Sequence, residues 1–216
     1  MSILPLLVVS ALPLSAQTSG DQFDSWRFWG GNISNTHSNP FEHTLTTKNV
    51  SELEPKWTFT TGGDVSATPT VDSTSVYVPD WAGNLFKIDR RTGEAIWSHK
   101  ISEYIGISGS LSRNSPAIVG NLLVFGDQAS ATVMAVDKRS GRLVRKTVLD
   151  SHPGAIITSS AVEFGGKIYV GVSSNPEGHR QRCLGQQFFD RSKKTVALYC
   201  DRQQLFGASG SFRMCV

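Results

Sequence analysis

One segment of this chain occurs twice and begins a third time. The first copy reads Thr68-Pro69-Thr70-Val71, then Val76-Tyr77-Val78, then Asp89-Arg90-Arg91-Thr92-Gly93-Glu94-Ala95-Ile96-Trp97. The second reads Ser115-Pro116-Ala117-Ile118, Leu123-Val124-Phe125 and Asp137-Lys138-Arg139-Ser140-Gly141. A third opens with Ser159-Ser160-Ala161-Val162 and Ile168-Tyr169-Val170, then dissolves. Matching positions recur at 47 residues (Val71 to Ile118), 48 (Asp89 to Asp137) and 44 (Ile118 to Val162). A period of roughly 40–50 residues built from short strands is what a β-propeller blade produces. A propeller closes only as a ring, and three repeats leave it open.

Each copy reads as four strands. A Thr/Ser-Pro-Xaa-Val strand comes first, where proline at the start removes no central ladder bond. A turn leads to an apolar second strand, and Leu85-Phe86-Lys87-Ile88 or Val133-Met134-Ala135-Val136 makes the third. Asp-Xaa-Xaa-Thr/Ser-Gly then turns the chain, because a short Asp side chain accepts bonds from the backbone ahead and Gly supplies a positive φ. A fourth strand closes the blade. Trp97 is expected to lodge between blades, and Arg145 stands at its position in the second copy, without that lock. Before the repeats, Trp57-Thr58-Phe59-Thr60 alternates apolar and polar residues and stops at Gly62-Gly63, a further half-buried strand. No stretch keeps helical spacing, so little helix is expected.

The ends differ from the middle. An apolar run from Ile3 to Leu14 ends in Leu14-Ser15-Ala16 and reads as a signal peptide cleaved after residue 16. It is shorter than the roughly 20 residues needed to span a bilayer, so no transmembrane segment is expected. Residues 17–56 form a loop-rich lead-in, residues 57–174 the blades and residues 175–216 an aberrant tail without the Asp turn. The tail holds all three cysteines, Cys183, Cys200 and Cys215, at a spacing that fits no zinc site. It reads either as a shifted reading frame or as a divergent cap. A net charge of +3 with no basic stripe argues against nucleic-acid binding. Asn32-Ile33-Ser34 and Asn49-Val50-Ser51 are glycosylation triplets in form.

The stretch Asp64 to Pro69, the strand and turn Asp80-Trp81-Ala82-Gly83-Asn84-Leu85-Phe86-Lys87-Ile88-Asp89, and Thr92-Gly93 with Trp97 resemble a pyrroloquinoline quinone (PQQ) repeat propeller. The likeness is to polyvinyl-alcohol-dehydrogenase-like quinoproteins and covers residues 24–174, Trp29-Gly30-Gly31-Asn32 included. It implies an all-β, partial propeller of quinoprotein alcohol dehydrogenase type with about three four-stranded blades. It also implies PQQ and calcium as cofactors, a small or polymeric alcohol as substrate, and a secreted or periplasmic location.

By that resemblance Arg113 reaches the quinone oxygens, Thr158 hydrogen-bonds the cofactor, Ser173 contacts it and Glu177 ligates calcium. Arg113, Thr158 and Glu177 each have a plainer alternative: an exposed loop arginine, an ordinary strand threonine, a solvated loop glutamate. Ile107-Ser108 stands where methanol dehydrogenases carry adjacent cysteines. The family's catalytic aspartate and its asparagine ligand belong to later blades, and nothing in 178–216 matches them, so no catalytic residue is assigned. Two readings follow. One is the N-terminal part of an exported PQQ-dependent dehydrogenase, inactive alone; the other is a noncatalytic propeller that binds a protein or polysaccharide. In either, open blade edges invite assembly.

Overall fold

The computed structural model describes residues 25–174 and two short strands beyond them, Cys183–Gln186 and Ala197–Cys200. The signal segment, Glu177, Cys215 and most of the 175–216 tail lie outside the described residues. Among the described residues the chain is a partial β-propeller. Strands β1 (Thr70–Val71), β2 (Ser75–Pro79), β3 (Asn84–Asp89) and β4 (Ala95–Lys100) make one antiparallel sheet in chain order. After a one-turn helix α1 (Ile101–Ile105), strands β5 (Ala117–Val119), β6 (Leu122–Gly126), β7 (Thr132–Asp137) and β8 (Leu143–Val148) repeat it. The pair β9 (Ala155–Ile156) and β12 (Ser173–Ser174) brackets β10 (Val162–Phe164) and β11 (Lys167–Tyr169), the inner hairpin of a third blade. Two complete blades and that hairpin are thus described, followed by the hairpin β13 (Cys183–Gln186) and β14 (Ala197–Cys200).

Strand register refines the repeat. Ile118 pairs with Leu123 and Glu163 pairs with Ile168, so Ile118 corresponds to Glu163 at 45 residues, not to Val162 at 44. The sequence match followed the apolar character of Val162, whereas in β10 Val162 and Glu163 are both half-buried and the pattern does not alternate. The step from 47 to 48 residues also has a location. Asp80 N–H bonds the Asn84 carbonyl and Asp127 N–H bonds the Thr132 carbonyl, so the second blade holds one extra residue in the turn after its second strand. Ala131 in that turn adopts φ 45°.

The Asp turns form as expected. Asp89 accepts from Arg91 N and Thr92 N, both at 2.8 Å, and Asp137 accepts from Ser140 N and Oγ at 2.8 and 2.7 Å. Gly93 (φ 77°) and Gly141 (φ 71°) take the left-handed position that closes each turn.

Three apolar layers hold the blades. Tyr77, Leu85, Ile101 and Tyr104 of the first blade meet Leu123, Phe125, Met134 and Val136 of the second. Val124, Val133 and Ala135 of the second meet Ile157, Ile168 and Val170 of the third. Each such buried aliphatic or aromatic side chain stabilises by roughly 1.5–3 kcal/mol. Trp97 sits at the first interface and donates to the Lys138 carbonyl at 3.4 Å. At the second, where Arg145 stands, the seam is filled by aliphatic residues with Phe28 and Leu149.

The third layer corrects an expectation. Residues 57–60 do not form a strand. They lie against the first blade, where Trp57 and Phe59 cover Val78, Phe86 and Ile88. Trp57 Nε1 donates to the Arg90 carbonyl at 2.9 Å, one repeat before the bond Trp97 makes. The segment therefore occupies the place of an outermost strand, but no described residue offers it a ladder partner. Side-chain packing and the Trp57 indole hydrogen bond hold it among the described residues.

Candidate functional site

The turns after β2 and β6 and the connections between blades all lie at one end of the stack. Ser66, Arg113 and Thr158 stand thirteen residues before Pro79, Gly126 and Gly171, so they are the same position of three successive repeats. All three line a single cavity of about 500 Å³, together with Phe28, Trp29 and Asn32. A propeller converges equivalent positions on its axis, which is why residues 47 and 45 apart in sequence meet here.

The following residue in each repeat shows what holds that convergence. Asn114 is buried; its Oδ1 accepts from Gly126 N and its Nδ2 donates to Gly126 O, both at 3.0 Å. Ser159 does the same with Gly171, accepting from its N–H at 2.8 Å and donating to its carbonyl at 2.9 Å. In the first blade the pair is Ala67 and Pro79. Proline has no N–H to give, so an apolar neighbour replaces the clasp without leaving a donor unsatisfied. A side chain at Gly126 would collide with Ile157, which keeps that position glycine.

Of the expected cofactor residues, the structure brings two to the cavity, and Ser173 adjoins it only through Thr158. Arg113 is exposed at the cavity, Thr158 lines it, and Thr158 Oγ1 lies 3.4 Å from Ser173 Oγ. Glu177 lies outside the described residues. Sequence reasoning missed Ser66, Ser115 and Trp81. Ser115 is 1% exposed, lines the cavity, and its Oγ has no hydrogen-bond partner. Trp81 lies beside Arg113, whose guanidinium carbon is 5.6 Å from the indole ring. Its Nε1 donates to Ser66 Oγ at 2.8 Å. The signal that would have found Ser66 is its repeat position; Ser115 and Trp81 stand in repeat and family motifs that carry no sign of their place at the cavity.

The turn that carries Trp81 is rigid. Asp80 is fully buried and accepts from Gly62 N (2.9 Å), Asn84 N (2.8 Å) and Asn84 Nδ2 (2.8 Å). Gly83, at φ 78°, lies so close to the Ser110 carbonyl that a Cβ would reach 2.6 Å. Asp127, its counterpart in the second blade, is also buried and accepts from Ala129 N and Ser130 Oγ. Burial raises its pKa against those bonds, and Oδ1 has no partner.

The cavity presents a guanidinium and several hydroxyls, one of them unpartnered, and no Asp or Glu among its lining residues. That donor set fits a flat, polyanionic cofactor such as PQQ on one of its sides. For calcium the fit fails among the described residues: no group of three or more His, Cys, Asp or Glu is placed to hold a metal ion. Among them, too, no helix is long and apolar enough to cross a membrane. Two of the described histidines serve an interface and a turn. His99 Nε2 bonds the Ser140 carbonyl across the first interface, and His152 Nδ1 accepts from Gly154 N.

The family model PQQ_2, described as outer membrane protein assembly factor BamB, matches residues 44–175. A polyvinylalcohol dehydrogenase of a Pseudomonas species is 27% identical over 154 residues, covering 71% of this chain and 24% of that protein. The quinoprotein alcohol dehydrogenase PedH of Pseudomonas putida is 29% identical over 141 residues, 62% of this chain and 24% of that protein. The crystal structure of a quinohemoprotein alcohol dehydrogenase from Comamonas testosteroni superposes with a TM-score of 0.65 at 20% identity, over 81% of this chain and 27% of that one. The chain thus spans about a quarter of the length of these relatives.

Proposed function

Since this chain belongs to the PQQ-repeat family PQQ_2, we propose that it supplies the first blades of an exported PQQ-dependent alcohol dehydrogenase-like quinoprotein, and part of its cofactor wall. The observation that carries this reading is the meeting of Ser66, Arg113 and Thr158, one per repeat, in one cavity without carboxylates. PQQ, when bound, would accept a hydride equivalent (two electrons and a proton) from an alcohol whose hydroxyl proton goes to a base. The residues here would bind and orient it. Arg113 donates from a planar fork to carboxylate or quinone oxygens, and its permanent charge favours the electron-rich reduced state. Thr158, with Ser173 behind it, adds a hydroxyl donor in the same cavity, and Ser115 one more with no competing partner.

Proton removal from the alcohol needs a base, and the family resemblance places that base and the completing metal ligands in later blades. The chain by itself is therefore expected to bind cofactor weakly and to turn over no substrate. An exported location is supported by the composition of residues 1–16. The second reading, a noncatalytic module for a protein or polysaccharide, is favoured by one observation: no cavity-lining residue can act as a general base.

Equilibrium dialysis of PQQ against the chain and against Arg113→Ala separates the two. Saturable binding weakened about tenfold or more by the substitution, with no dye-linked alcohol oxidation in the presence of PQQ and calcium, is the expected result. Binding indifferent to Arg113, or none, would sink the cofactor-wall reading and leave the binding module.

A further inference from the structure

We propose that Trp81 is a positioning residue for Arg113, holding its guanidinium over the indole face so that it is aimed into the cavity before any ligand arrives. The proposal rests on the reading of that cavity as one wall of a quinone site. Three observations carry it. Trp81 is 42% exposed, belongs to none of the apolar clusters that join the blades, and lies beside Arg113, which lines the cavity. Its ring is fixed at both ends: the backbone by the Asp80 clasp and by the Trp81 N–H bond to the Asp64 carbonyl at 2.9 Å, the indole by Ser66. And the group above its face is the cavity's one charged side chain, at 5.6 Å.

An arginine on a loop loses much rotamer freedom when it grips a ligand. Stacking on an aromatic face removes part of that freedom beforehand without neutralising the charge, as a carboxylate partner would. The three residues also link repeats: Ser66 and Trp81 belong to the first blade, Arg113 to the second. The ligand-facing cation of one blade is thus aimed by its neighbour. Because Ser66 occupies in its own repeat the position that Arg113 occupies in the next, the first blade uses that position to hold the support and not the ligand.

The test measures PQQ binding to the full chain carrying Trp81→Leu, Trp81→Phe, Arg113→Ala and the double change Trp81→Leu with Arg113→Ala. Trp81→Leu is expected to weaken binding about three- to tenfold, the size that a part-exposed cation–π contact supports. Trp81→Phe, which keeps a π face, is expected to restore binding to within about twofold, and Trp81→Leu to have no effect once Arg113 is gone. A second readout needs no cofactor: phenylglyoxal modification of Arg113, mapped by mass spectrometry, runs faster in Trp81→Leu than in the parent or in Trp81→Phe. Additive losses, or equal modification rates with unchanged binding, overturn the proposal. If the parent binds no PQQ, the cofactor reading fails on its own; a protected Arg113 would then establish the pairing while removing the assigned purpose.

Discussion

Asp72, Asp127 and the paired residues Asn114 and Gly126 show how single side chains set the limits of this fold. Asp72 bridges the first two blades through Lys138 at 2.7 Å and accepts the Tyr77 hydroxyl at 3.0 Å. Burial works to raise its pKa, but Lys138 and the Thr74 and Ser75 amides outweigh it and the net shift is downward. Its contribution is therefore present above the ordinary carboxylate range and lost as pH falls through its lowered folded value. Asp127 runs the other way. Its folded pKa is raised by burial, so it weakens the fold increasingly as pH climbs from the unfolded value near about 4 toward the folded one. Asp127→Asn should raise the melting temperature by a few degrees at pH 7 and by nothing near pH 3.5; a lower melting temperature at neutral pH would show that the Ser130 and Ala129 bonds outweigh desolvation. Asn114→Ala removes a donor and an acceptor from the buried Gly126 peptide groups. Chemical denaturation should register a loss of about 2–3 kcal/mol, with Asn114→Ser, which copies the Ser159 clasp, recovering part of it.

At the scale of elements, the outer and inner strands were unequally legible. The Asp turns, the four-strand order and the Trp97 seam followed from residue chemistry that acts within a few positions. Residues 57–60 did not, because alternation reports a half-buried extended chain and is silent on whether a ladder partner exists. The third repeat was misplaced by one residue for a related reason: Val162 matched in hydrophobicity, while Glu163 matched in register. At the site, Arg113 and Thr158 were expected through family likeness, but their convergence with Ser66 on one cavity was not, since it depends on how blades rotate about a common axis. Trp81 was quoted as part of a motif and its contact with Arg113 went unread. The same logic yields a test of the covering segment. Trp57→Ala should uncover Phe86 and Ile88, increase binding of a hydrophobic dye and cost about 3 kcal/mol or more; an unchanged dye signal would mean that Phe59 alone shields the face.

Among the described residues, the apolar clusters join each blade to the next in chain order. Stability in such an array is a sum of units and interfaces, and cooperativity travels through the interfaces alone. Phe125 lies fully buried in the seam between the first two blades. Phe125→Ala should cost about 3–5 kcal/mol and broaden the urea transition, as the first blade separates from the second. A transition that shifts without broadening would mean that the lead-in couples them independently. It has the means: Trp26 exchanges two backbone bonds with Val71 of the first blade, and Arg27 accepts from Ile118 N and donates to its carbonyl in the second.

The single extra residue between Asp127 and Thr132 has a wider meaning. It falls at the end of the stack where Arg113 of its own blade and Trp81 of the preceding blade lie, whereas the Asp89 and Asp137 turns at the far end are alike. Each blade therefore behaves like a vise with one fixed jaw and one adjustable jaw. Lengthening the adjustable side reshapes the mouth and leaves the strand pairing of the blade where it was. A lineage of such proteins can try new mouths one loop at a time, with the fixed jaw carrying the memory of the fold.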